Sequence, residues 1–115
     1  MEPAAAFELY RRRVFAQPEL TDADGGLFAA MRAEDKQANL RLVMGISRWV
    51  IERIERIPRH AREAHQADPL TLLTRANGAV ARSIREYRGG DIAEFRGIVM
   101  AAVEAEFLSL FGHAP

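Results

Sequence analysis

The sequence predicts an all-α domain: a compact bundle of four main helices, one of them long and central. Three observations carry this prediction. Apolar residues recur at three- and four-residue spacing through most of the 115 residues, the period of an amphipathic helix. No run shows the strict alternation of a half-buried strand. Proline, paired glycines and an Asp-Pro step fall where helices should start or stop.

The first helix is expected from Pro3 to Phe15, with Phe7, Tyr10 and Val14 on one face. Pro18 ends it, because proline has no N–H to give an earlier turn. Thr21-Asp22-Ala23-Asp24-Gly25-Gly26 is a loop rich in helix-starting residues. A long helical pattern then runs to Ile57, before Pro58.

Two apolar stripes coexist in that segment. Leu40, Val43, Met44, Ser47, Val50, Ile51, Ile54 and Ile57 form a broad core face, widened by Ile46. Leu27, Met31, Ala38, Leu42 and Trp49 form a second stripe on the other side. Such a helix is either central in its bundle or packs one stripe on its own core and the other on a partner. Extended backward, the core face meets Asn39, Lys36 and Arg32, so either the helix breaks near 35–39 or its N-terminal part projects beyond the core. Gly45 offers close helix approach at a propensity cost of about 1 kcal/mol relative to Ala.

Residues 58–67 read as a short fifth helix or an irregular connector. Asp68-Pro69 is a clean start, an N-cap acceptor followed by proline at the first helical position. Leu73, Ala76, Val80, Ile84 and Tyr87 keep helical phase up to Gly89-Gly90, through a competing turn signal at Asn77-Gly78. Asp91, with Glu94 three residues on, opens the last helix as a variant capping box. Ile92, Phe95, Val99, Ala102, Val103, Phe107 and Leu110 form its wide apolar face; the helix fades at Phe111-Gly112.

A chain of this length fits one domain, residues 1–115, and buries roughly 65% of the surface its unfolded form exposes. It has no cysteine, which removes disulfides, thiolate metal sites and cysteine nucleophiles and fits a reducing cytoplasm. No stretch has the pattern of a secretory signal or the roughly eighteen apolar residues of a membrane span.

Fifteen of the sixteen basic residues are Arg, with Lys36 the lone lysine, and the formal net charge is zero. A dedicated nucleic-acid binder is usually basic, so the Arg bias is read as the codon usage of a GC-rich bacterial genome. The charge is uneven along the chain: residues 41–88 hold ten Arg against five carboxylates, and the flanks are acidic. Acidic flanks folding back on a basic centre, within one chain or across a dimer, satisfy this pattern.

The motifs of common chemistries are missing. Helical di-iron sites need Glu-x-x-His pairs on facing helices, and the chain has none. His60 and His65 lie about 140° apart on an α-helix, too far around to chelate with Glu63. No Gly-x-Ser-x-Gly elbow or Gly-rich phosphate loop is present. Glu52 and Glu55 form a Glu-x-x-Glu pair, but Arg48, Arg56 and Arg59 surround them, and pairing with these is the expected fate. No metal, cofactor or catalytic residue is therefore assigned.

Two sets of residues remain. Arg32, Lys36, Asn39, Asn77, Arg96 and Glu106 are polar positions on or beside apolar faces. They mark a polar pocket or partner contact, or else exposed helix ends, snorkelling Arg stems and ion pairs. Residues 70–88 partly match a helix-turn-helix, with Leu73, Gly78, Ile84 and Tyr87 at anchor positions and Arg82, Arg85 and Arg88 decorating a recognition helix. Against this match, Thr74 stands where a small apolar residue is usual, Ala79 is small for its anchor, and Val80 would face DNA.

The expectation is a non-catalytic protein-interaction module, a small bacterial or phage-type adaptor, regulator or inhibitor. Its surface is expected at Leu27, Met31, Leu42 and Trp49, where a protein partner or a second copy of the chain packs. The alternative is a nucleic-acid-binding regulator acting through residues 70–88.

Overall fold

A computed structural model describes all 115 residues and contains helices and turns but no strand. The helices are α1 (Pro3–Phe15), α2 (Gly26–Arg32), α3 (Lys36–Glu55), α4 (Arg59–Ala64), α5 (Pro69–Glu86) and α6 (Ile92–Phe111), with a 3₁₀ turn at Asp22–Asp24. Four are long and two short. No helix is long and apolar enough to cross a membrane.

The segment expected as one long helix is two. Glu34 adopts a positive φ of 67°, a left-handed conformation that ends α2. Asp35 then caps α3, its Oδ1 accepting from the N–H groups of Gln37 at 2.9 Å and Ala38 at 3.1 Å. The polar run that interrupts the core face is thus an exposed break, in which Arg32, Lys36 and Asn39 are all at the surface. The break lets α2 fold against α3. It also lets Phe28 pack against both Tyr87 and Phe95, at ring separations of 4.9 and 5.0 Å, in a cluster where those two rings also touch at 5.0 Å.

Helix α3 is the central element, in contact with α1, α2, α5 and α6. From Gly45 to Ile54 it is buried on nearly every side, through Ile46, Trp49, Val50, Ile51 and Ile54. Leu42 is fully buried and Trp49 is 4% exposed, while Leu27 and Met31 pack on the same core from α2. The expectation of an outward surface is therefore corrected for Leu42 and Trp49, whereas Leu27 and Met31 are half-buried. On α3 the second stripe is interior because α2, α5 and α6 surround that helix. Conversely, Leu40, expected in the core, is 60% exposed, because α3 at that point has only α2 and the 17–20 loop beside it. The close approach at Gly45 is made by Leu20, whose side chain a Cβ there would overlap.

Residues 59–64 form the short fifth helix that the sequence left open. Helix α5 runs unbroken through Asn77-Gly78. No turn divides residues 70–88, so the helix-turn-helix geometry is absent. Leu72, Leu73, Ala76, Ala79, Val80 and Ser83 hold one buried face across the site of the expected turn, outweighing the roughly 1 kcal/mol propensity cost of Gly78.

Two of the few buried polar side chains tie helices together. Tyr10 Oη lies 2.8 Å from Ser47 Oγ, joining α1 to α3. Arg53, 9% exposed, pairs with Glu104 of α6, and its Nη2 donates to the Pro115 carbonyl oxygen at 3.0 Å.

Candidate interaction surface

The α5–α6 hairpin is built around one phenol. Tyr87 ends α5, is buried, and accepts from the Asp91 N–H at 3.0 Å. Its hydroxyl lies 2.9 Å from Glu94 Oε1, to which it donates, and 3.1 Å from the Asp91 carbonyl oxygen. Asp91 caps α6 through the Glu94 N–H at 3.0 Å. Burial pushes the phenol above its ordinary pKa, so this group is a neutral structural tie and not an activated nucleophile. The hairpin is further closed by Arg75 of α5, which bonds Glu106 of α6 at 3.1 Å.

One consequence is an outward face with little polar character. Helix α6 buries Ile92, Phe95, Val99, Val103, Phe107 and Phe111, yet its opposite side carries Ile98, Ala101, Ala105 and Leu108, all exposed. Ile98 is 46% and Leu108 50% exposed. The charged residues of α6, Glu94, Arg96, Glu104 and Glu106, are engaged by Tyr87, Trp49, Arg53 and Arg75 respectively, which leaves these four apolar residues without a partner. Beside them, a groove of about 440 Å³ runs between α5 and α6, floored by Ser83, Ile98 and Ala102 and rimmed by Arg82, Glu86 and Arg88. Sequence reasoning missed Ile98, Ala101, Ala105 and Leu108 as a set. Their three- and four-residue spacing was visible, but the neighbouring core positions of α6 are so apolar that they masked a second stripe.

The polar positions singled out in the sequence do not converge on one site. Arg32 is exposed, with Nη1 3.5 Å from the Gly89 carbonyl oxygen. Lys36, Asn39 and Met31 share an open depression of about 350 Å³ with Glu34 and Asp35; the Asp35 carboxylate there is engaged as an N-cap. Asn77 is exposed on α5. The Arg96 guanidinium lies 5.1 Å over the Trp49 ring, covering it from α6. Glu106 of α6 is held by Arg75 of α5 across the seam between the two helices. Of the arginines expected on a recognition helix, Arg82 and Arg85 are exposed, and Arg88 donates to the carbonyl oxygens of Arg85 and Tyr87.

Other charged clusters are mostly paired within the chain. Glu52 pairs with Arg48 at 3.2 Å, as expected, whereas Glu55 pairs with Arg11 of α1 instead of Arg56 or Arg59. His65 stacks edge-on against Phe111 at 5.0 Å, and His60 is exposed. No group of three or more His, Cys, Asp or Glu side chains comes together to hold a metal ion. A depression of about 420 Å³ between α4 and α5 is lined by charges of both signs. Its Arg59 and Glu63 bond each other, and its Asp68 caps α5.

No family model matches the chain, and no curated protein or solved structure is similar to it.

Proposed function

We propose that the protein is a non-catalytic helical interaction module, a small bacterial or phage-type adaptor, regulator or inhibitor, that binds a partner helix on the outward face of α6 and the adjoining α5–α6 groove. The observation that carries this reading is the exposed apolar set Ile98, Ala101, Ala105 and Leu108 on an otherwise well-packed helix. Exposed apolar faces rimmed by polar residues mark interaction surfaces, and a helix lying in such a groove is a common mode of recognition. The rim here is polar on the α5 side, through Arg82 and Glu86. The lack of cysteine supports work in a reducing cytoplasm.

The test is a two-hybrid or display selection with the wild-type chain as bait, counter-selected against an Ile98→Glu/Leu108→Glu double variant. A partner whose binding needs both apolar residues and survives Arg82→Glu/Arg85→Glu supports the reading. Low-salt mobility shifts of nucleic acid that are lost on reversing Arg82 and Arg85, with the apolar pair dispensable, would overturn it.

A further inference from the structure

We infer that the helix which fills this face is α6 of a second copy of the chain, crossing it antiparallel about a two-fold axis near Val103. The inference rests on the reading of the α6 face as an interaction surface and specifies its occupant.

The first argument is spacing. Ile98, Ala101, Ala105 and Leu108 follow the three-four alternation of a coiled-coil seam, and all four are exposed while the core of α6 lies behind them. The order of sizes is itself symmetric, large–small–small–large. Centred on Val103, an antiparallel pair stacks Ile98 on Leu108 of the second copy at each end and Ala101 on Ala105 in the middle. Two crossed helices approach most closely at their midpoint and diverge beyond it, so alanines at the centre and branched residues at the ends suit that geometry.

The second argument is charge. The Arg75–Glu106 ion pair and the Tyr87–Glu94 hydrogen bond fix α5 and α6 antiparallel, with Gly78 level with Val103 and Arg82 level with Val99. Two-fold rotation about Val103 brings Arg82, exposed on the groove rim, to the level of Phe107 of the second copy, beside its Glu106. A parallel pair would instead bring Glu94, which lines the same groove as Ile98, level with its own counterpart, and like charges repel.

The third argument is area. Helices α5 and α6, of 18 and 20 residues, make a layer roughly 30 Å long and two helix diameters, about 20 Å, wide. That plan of about 600 Å² approaches the ~800 Å² of accessible surface each partner gives a dimer of ordinary size. A second copy covers this layer with a matching layer, whereas a single isolated helix covers only half of it.

Sedimentation equilibrium from roughly 10 μM to 1 mM, the range in which a modest interface dissociates, should show the weight-average mass rising reversibly toward twofold. The Ile98→Glu/Leu108→Glu variant should keep its helical circular dichroism and stay at the monomer mass. Orientation is read from single cysteines, which the native chain lacks. An oxidised equal mixture of Ala101→Cys and Ala105→Cys chains should yield mainly the mixed disulfide, because bridged Cα atoms must lie within about 7 Å. Dominant bridging of each variant to itself overturns the antiparallel register. A chain that stays monomeric throughout, while a partner dependent on Ile98 and Leu108 is recovered in the selection, overturns self-pairing and leaves the module reading standing. A dimer indifferent to both glutamates overturns the face for both.

Discussion

At the scale of single residues, the polar ties of this chain set its most specific stability predictions. Tyr87 satisfies the turn between α5 and α6 with one hydroxyl, and Tyr87→Phe leaves the Asp91 N–H without its partner. The expected loss is about 1–2 kcal/mol in urea unfolding. The sign of its pH dependence follows from burial, which raises the folded-state pKa. The unfolded chain releases the phenolic proton first, so the Tyr87 contribution is intact below about pH 10 and falls as pH rises from there through the folded value. Tyr87→Phe should remove that part of the alkaline decline, measured as unfolding midpoints between neutral and alkaline pH. Arg53→Ala should cost about 2 kcal/mol, less than for a fully buried pair, since Glu104, left behind, is 41% exposed and regains water. Arg53 was legible in part: it continues the Ala38–Leu42–Trp49 stripe, and a charge there demands a partner. Which partner was not legible, because Glu104 lies 51 residues away.

At the scale of elements, local physical chemistry was legible almost throughout. The Asp68-Pro69 start, the Asp91 cap, the stop before Pro18 and the end near Gly112 all stand where the sequence places them. The break between α2 and α3 was legible only as a conflict, because its hinge is a non-glycine residue in a left-handed conformation that no local preference announces. Glu34→Gly should therefore stabilise the fold by about 1 kcal/mol, by relieving the cost of positive φ. Gly78 offers a complementary case: it sits mid-helix in α5, and a Cβ there meets nothing within 4 Å. Gly78→Ala should raise stability by about 1 kcal/mol in the same denaturation assay. A loss of stability instead would indicate a strained helix at Asn77-Gly78.

At the scale of the whole molecule, the sequence's two-stripe pattern contained the right alternatives without deciding between them. An α-helix with apolar residues on both sides is either central or shared with a partner, and periodicity is identical in the two cases. Here α3 is central, with Leu42 and Trp49 consumed inside the chain. The exposed apolar face belongs to α6, where the deep stripe of Phe95, Val99, Val103 and Phe107 drew attention away from Ile98 and Leu108. The spacing of the candidate surface is thus readable in the sequence, but nothing there says which of two apolar stripes the bundle leaves outside. Substitutions there also separate function from folding: Ile98→Glu and Leu108→Glu are expected to change monomer stability by no more than about 0.5 kcal/mol, as exposed sites generally do.

The short Tyr87–Asp91 turn has a further consequence for how the chain acquires its shape. Helices α5 and α6 are sequence neighbours tied at both ends, so their pairing closes a short loop and costs little chain entropy. The α1 helix must instead wait for α3, through Tyr10–Ser47 and Arg11–Glu55, some forty residues away. The hairpin is therefore expected to form early and α1 to join late. Hydrogen exchange in the native state would register that order as slow amides in α5 and α6 and fast ones in α1, the helix that would also detach first.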